Sequence, residues 1–132
     1  MAIDFTLTAE QKKVQKLARQ FAQEVLGPVV READAEPDTQ KAFLMTKPAY
    51  IEAYKHGFAT GFFPKQYGGL GVSHVQFMLV AEEISSVDPG FAATLLVNGL
   101  ALMPVYWFGT EEQKKKWIGM ACGDPKSEFL AG

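Results

Sequence analysis

Residues 98–117, NGLALMPVYWFGTEEQKKKW, constrain this chain more than any other stretch. An uncharged segment runs from residue 90 to residue 109, and Asn98 is the one strongly polar side chain at its centre. Gly109 interrupts it, and a helix start follows at once. Thr110 is placed to cap the new helix, and Gln113 to reach back to the Thr110 amide. Glu111 and Glu112 occupy the first turn, where the helix dipole favours negative charge. Lys114, Lys115 and Lys116 follow and read as a solvated face. A helix with no charge on any side must have apolar surroundings. One helix here is therefore buried all round, or one of its faces lines a cavity.

The chain has 132 residues, the size of one domain. Its 48% hydrophobic and 21% charged residues are ordinary for a folded soluble protein. A net charge of −2 gives no electrostatic case for nucleic acid or an anionic membrane surface. The single cysteine, Cys122, excludes an internal disulfide, fits a reducing compartment and points to a cytoplasmic location. It reads as a small buried apolar residue, not a catalytic thiol. The N-terminus lacks the basic start and apolar run of a signal peptide. Residues 89–110 have the length of a membrane span. Asn98, the glycines, Pro89, Pro104 and the acidic flanks argue instead for a buried helix in a soluble protein, so no span is expected.

The rest of the chain reads as helices. Thr8 and Gln11 form a capping box like that of Thr110 and Gln113. Behind it Val14, Leu17, Ala18, Phe21, Ala22, Val25 and Leu26 recur at helical spacing. Gly27-Pro28 should kink or split this helix, with a continuation to about Ala33. Residues 34–39 read as loop. A second helix is expected over 48–56, ended by Gly57. The segment before it, 40–47, is ambiguous, because Phe43, Leu44 and Met45 are apolar but Pro48 biases Lys47 away from helix. Residues 58–72 hold four glycines, one proline and four aromatic rings, which is an ordered loop pinned by its aromatics. Ser73 caps a third helix over 74–87, and Asp88-Pro89 starts the fourth, which runs to about Phe108 with a bend at Pro104. The fifth covers 111–121. A short strand is possible over 127–131. The expected fold is all-α: a compact orthogonal or up-down bundle of about five to six helices with no substantial sheet.

The inventory for catalysis is thin. His56 and His74 read as helix-end residues. No His/Cys cluster has metal spacing, so no metal ligand is assigned. No serine sits in a nucleophile elbow. Gly68, Gly69 and Gly71 lack the lysine-serine pair and the strand–helix frame of a phosphate loop. Glu82 and Glu83 are adjacent and point about 100° apart on a helix, so they read as a solvated face with one inter-helix salt bridge. No catalytic residue is assigned, and the cofactor-binding residues are unknown. The domain supplies shape and apolar surface, not acid–base groups.

Five motifs together resemble the N-terminal helical domain of the acyl-CoA dehydrogenase family, across nearly the whole chain. They are Leu-Thr-x-Glu-Gln at 7–11 with Ala-Arg-x-Phe-Ala at 18–22, Pro28, Pro-x-x-Tyr-Gly-Gly-x-Gly at 64–71, Glu82-Glu83, and Phe-Gly-Thr-Glu-Glu-Gln-Lys at 108–114. The resemblance implies a three-part enzyme: this domain, a middle β-domain holding FAD, and a C-terminal helical bundle carrying a glutamate base. Such enzymes oxidise an acyl-CoA thioester between Cα and Cβ and pass electrons to an electron-transfer flavoprotein. It further implies that the fourth helix lines the acyl tail through Ala92, Ala93, Leu96, Asn98, Gly99, Leu100 and Met103. Leu96 points to a tail or ring that is apolar at its far end. On this reading residues 1–132 are an N-terminal domain lacking the flavin domain and the base, inactive by itself and not expected to bind FAD alone. An exposed pocket wall implies a homo-oligomer. The alternative is a stand-alone helical interaction module, or a small subunit completed by another chain.

Overall fold

The structure is a computed structural model that describes residues 5–131. It contains seven α-helical segments: α1 Ala9–Phe21, α2 Gly27–Asp34, α3 Thr39–Met45, α4 Lys47–Lys55, α5 His74–Ser85, α6 Pro89–Phe108 and α7 Glu111–Cys122. Thr8, Ser73 and Thr110 each form a reciprocal capping box, with Gln11, Gln76 and Gln113 as the third helical residue. Asp88 caps α6 by accepting from the amides of Gly90 and Phe91, with Pro89 in the first turn. These caps satisfy amides that no turn of helix can, so short-range sequence alone places the helix starts.

Four alternatives left open by the sequence are decided in the structure. Gly27-Pro28 does not split the first helix. Pro28 has no N–H for the Glu24 carbonyl, and the chain widens into a π turn over Ala22–Leu26, where the Gly27 amide bonds back to Ala22. Thus α1 and α2 form one continuous rod. The ambiguous segment before Pro48 is helical as α3, because Asp38 accepts from the Gln40 and Lys41 amides and outweighs the restriction from Pro48. Only Thr46 separates α3 from α4. No strand forms over 127–131, because no neighbouring extended segment offers a ladder; among the described residues there is none. Finally, α6 is not buried all round. Phe91, Ala92, Leu95, Asn98, Gly99 and Leu102 are buried, whereas Leu100, Trp107 and Phe108 are exposed. By length and composition α6 could cross a membrane, yet it packs between α5 and α7.

The core has two centres. One gathers Ala18, Phe21 and Leu26 from the first rod, Ala49, Tyr50, Ala53 and Tyr54 from α4, Val80 and Ile84 from α5, and Phe91, Ala92 and Leu95 from α6. The second joins Phe63 and Tyr67 of the 58–72 loop to Leu102 of α6 and Ile118 and Ala121 of α7. The loop is ordered through its own backbone: the Leu70 amide donates to Gly61 at 3.0 Å and the Gly71 amide to Phe63 at 2.9 Å. A methyl group on Gly69 would lie 1.9 Å from the Phe63 carbonyl oxygen, so only glycine permits this approach. Tyr67 then donates to Glu111 at 2.9 Å, tying the loop to the first turn of α7.

Two polar links cross the helices. Arg19 of α1 makes a forked pair with Glu83 of α5, Nε to Oε2 at 2.8 Å and Nη2 to Oε1 at 2.6 Å. Glu83 is buried and Arg19 is half exposed, so the charge on Glu83 depends on this partner. Hydrogen bonds from Arg19 hold the Glu83 carboxyl below its ordinary value. The second link centres on Asn98, which has no exposed surface. Its Nδ2 donates to the Tyr50 hydroxyl at 2.8 Å, and its Oδ1 accepts from the Ala131 amide at 2.8 Å. Tyr50 in turn donates to the Phe129 carbonyl. One buried amide thereby clips residues 129–131 onto α4 and α6.

Three outcomes follow for stability. Glu83→Gln is expected to lower stability at neutral pH by about 1 kcal/mol, since the Arg19 end is solvent-screened. A depressed carboxyl stabilises above its unfolded value and loses that contribution as pH falls through the folded one, so Glu83→Gln should also flatten the acid side of a stability-versus-pH curve from chemical denaturation. Asn98→Leu should cost about 2 kcal/mol, because the Ala131 amide loses its acceptor and the Tyr50 hydroxyl loses a donor; hydrogen exchange should show faster exchange at Ala131. Gly69→Ala should cost at least about 2 kcal/mol in thermal unfolding.

Candidate functional site

The exposed face of α6 is one wall of a groove. Leu96, Gly99, Leu100, Met103, Pro104 and Trp107 recur at helical spacing along it. At 1.5 Å per residue the stripe from Leu96 to Trp107 runs roughly 16 Å. The opposite wall is the first turns of α5, through His74, Phe77 and Met78, and the floor comes from Phe62 of the 58–72 loop. The groove, open to solvent along one side, has a volume of about 460 Å³. His74, the first residue of α5, is the single titratable side chain along it. The caps explain why these walls meet. Ser73 starts α5 directly after the glycine loop, and Asp88-Pro89 turns the chain straight back into α6, so the two helices pack as neighbours.

The candidate residues separate in this geometry. Leu96, Gly99, Leu100 and Met103 line the groove together. Ala92 is in the first core centre, and Asn98 is in the clip to Tyr50 and Ala131. Ala93 is exposed and lies outside the groove lining. Helical phase accounts for this division: 96, 99, 100 and 103 share one side, while 92, 95, 98 and 102 share the side that faces the core. Phe62, His74, Phe77 and Met78 belong to the groove and escape a reading of α6 alone, whereas Pro104 and Trp107 extend the stripe along α6 itself. The one signal for Phe62 was the aromatic density of its loop; nothing local marks α5 as the opposite wall.

No Asp, Glu, Lys or Arg side chain lines the groove. Burial pushes the Tyr54 hydroxyl up to about 12 and pushes the Cys122 thiol up. A thiol held protonated is not an activated nucleophile. The Tyr67 hydroxyl, followed by Lys114, holds the Glu111 carboxyl low. His56 caps the end of α4 and stacks on Phe58 with ring centroids 5.4 Å apart. Among the described residues no group of three His, Cys, Asp or Glu could hold a metal ion. A groove lined by hydrocarbon, aromatic rings and thioethers, with one imidazole at its rim, can bind an aliphatic or aromatic group by burial and can orient it. It holds no acid–base pair and no cradle of donors for a pyrophosphate.

Comparison with known proteins agrees with this shape. The family described as "Acyl-CoA dehydrogenase, N-terminal domain" matches residues 8–124. A nitroalkane oxidase of Podospora anserina is 32% identical over 132 residues, covering 99% of this chain and 28% of that protein. The short-chain specific acyl-CoA dehydrogenase of Megasphaera elsdenii is 32% identical over 120 residues, covering 88% of this chain and 30% of that protein. The solved structure of an acyl-CoA dehydrogenase complexed with FAD from Bacillus anthracis superposes with a TM-score of 0.79 at 29% identity, covering 95% of this chain and 20% of that one. The chain thus spans less than a third of the length of these relatives. With the matched region running from the first helix cap to the end of α7, the chain belongs to the acyl-CoA dehydrogenase N-terminal domain family.

Proposed function

We propose that this chain forms the acyl-chain wall of an FAD-dependent acyl-CoA dehydrogenase. The observation that carries the proposal is the apolar groove between α5 and α6. An alkyl tail buried there gains about 0.8 kcal/mol per methylene, and no Asp, Glu, Lys or Arg side chain has to be desolvated to receive it. Leu96, Gly99, Leu100 and Met103 are the proposed substrate contacts on α6. Ala92 and Asn98 support that wall from behind, through the core and the clip.

The residues of the groove do not fit the flavin. The groove offers one imidazole and no set of donors for an isoalloxazine or a pyrophosphate. FAD supplies the acceptor for the β-hydride in this reaction class, and its binding residues and the catalytic base are proposed to lie outside residues 5–131. What this chain does is bind the tail, exclude water from it and fix its direction. Acyl-CoA as substrate, an electron-transfer flavoprotein as electron acceptor, a homo-oligomeric assembly and a cytoplasmic location belong to the same proposal. The exposed Leu100, Trp107 and Phe108 support association, since such surface is normally covered. A second reading has its own support: the Podospora anserina relative is a nitroalkane oxidase that matches 99% of the chain, and the tail of a nitroalkane would suit the same groove.

Titration of the Trp117→Phe chain, in which Trp107 is the one tryptophan, with octanoyl-CoA and with a 1-nitroalkane of equal length, followed by Trp107 emission, tests these readings. The expected result is a blue shift that saturates with octanoyl-CoA and is weaker with the nitroalkane. Leu100 is exposed, so Leu100→Asp leaves the fold intact and should weaken binding roughly tenfold or more. Tighter binding of the nitroalkane would favour the second reading. Failure of both ligands to bind, or indifference to Leu100→Asp, would overturn the first.

A further inference from the structure

Along the α6 stripe, one position has no side chain. Gly99 lies between Leu96 and Met103, and the gap it leaves is filled from outside the helix. A methyl group at residue 99 would stand 3.1 Å from Phe62 Cζ and 3.5 Å from Phe62 Cε1. The tip of the Phe62 ring therefore rests end-on against the backbone of α6. The ring is held from two further sides, by Phe63 with centroids 4.2 Å apart and by Phe77 of α5 with centroids 4.5 Å apart. Phe63 itself is fully buried, so it is a fixed support. Phe62 is half-buried, and its remaining surface faces the groove.

This arrangement bridges the loop, α5 and α6 with a single aromatic plate. A tail entering between the two helices would meet that plate as the floor of the groove. We propose that Phe62, seated in the notch of Gly99, is a specificity-determining residue that sets how long an alkyl chain the groove accepts; this rests on the groove being an alkyl site. The plate's position has two independent controls. Shortening Phe62 removes the floor and lets the tail go deeper. A methyl at residue 99 would stand 3.1 Å from Phe62 Cζ, so the ring tip has to give by a few tenths of an ångström between Phe63 and Phe77, and the methyl itself takes up space at the floor.

The test uses straight-chain acyl thioesters of N-acetylcysteamine, from butanoyl to decanoyl, with affinity read from Trp107 emission in a Trp117→Phe background, which serves as the unaltered chain. For the unaltered chain, affinity should rise roughly fourfold per methylene and then level off at one chain length. Phe62→Ala should move that plateau two or more methylenes longer, and Gly99→Ala should move it shorter. Phe62→Leu, which keeps an apolar side chain on Phe63, should move it longer by a smaller step; it carries the test if Phe62→Ala loses helical circular dichroism. Binding by all variants with one common plateau overturns the role of Phe62 and leaves the alkyl groove standing. No binding at any length by the unaltered chain overturns the groove reading, and the plate with it.

Discussion

Everything in this domain is arranged around a helix of 20 residues that carries no charge. Such a helix cannot turn a polar side to water, so each of its faces needs apolar company or must stay exposed at a cost. One side receives Phe91, Ala92, Leu95 and Leu102 into the two core centres. The opposite side, through Leu96, Leu100, Met103 and Trp107, has only a partial cover and becomes the groove. The interior of α6 is thus both the keystone of the packing and the wall of the site.

Polar groups within this apolar frame act as fasteners. Asn98 is the single strongly polar residue in the middle of α6, and it is completely satisfied by Tyr50 and by the backbone of residues 129 and 131. Leaving any of these groups unpaired in the interior would cost more than the bond itself contributes. The clip therefore gives residues 129–131 one direction rather than several, at the edge nearest α4. Arg19 and Glu83 play the equivalent part between α1 and α5, with the buried carboxylate depending on its half-exposed partner.

Local signals reached far into the fold. Capping boxes at Thr8, Ser73 and Thr110, the Asp88-Pro89 start and the Gly57 stop each depend on residues within four positions of one another. Their hydrogen bonds form whatever the remainder of the chain does. Local rules failed where two of them competed or where a partner was needed. At residues 39–45 the Asp38 cap prevailed over the Pro48 restriction, and at Pro28 the helix widened instead of breaking. At residues 127–131 a strand needed a neighbour that the fold does not provide. The start of α6 at Asp88-Pro89 and its approximate end near Phe108 were legible, but not its surroundings.

The same division applies to the site. Motif spacing pointed to the family, and the uncharged run pointed to α6 as an apolar wall, because composition and helical length are properties of one segment. Which of its residues face a ligand is a matter of phase and of neighbours. Ala92 and Asn98 face the core while Leu96 and Leu100 face the groove, only because α4 and the first rod occupy one side and α5 the other. Phe62 lies 37 residues from Gly99, with numbering as in the sequence. No periodicity links them, since the contact exists only once a loop and a helix have packed. The order of elements, their ends and the family were therefore written along the chain in short-range chemistry, whereas the groove, its floor and the separation of wall from core arose from long-range packing that single segments do not encode.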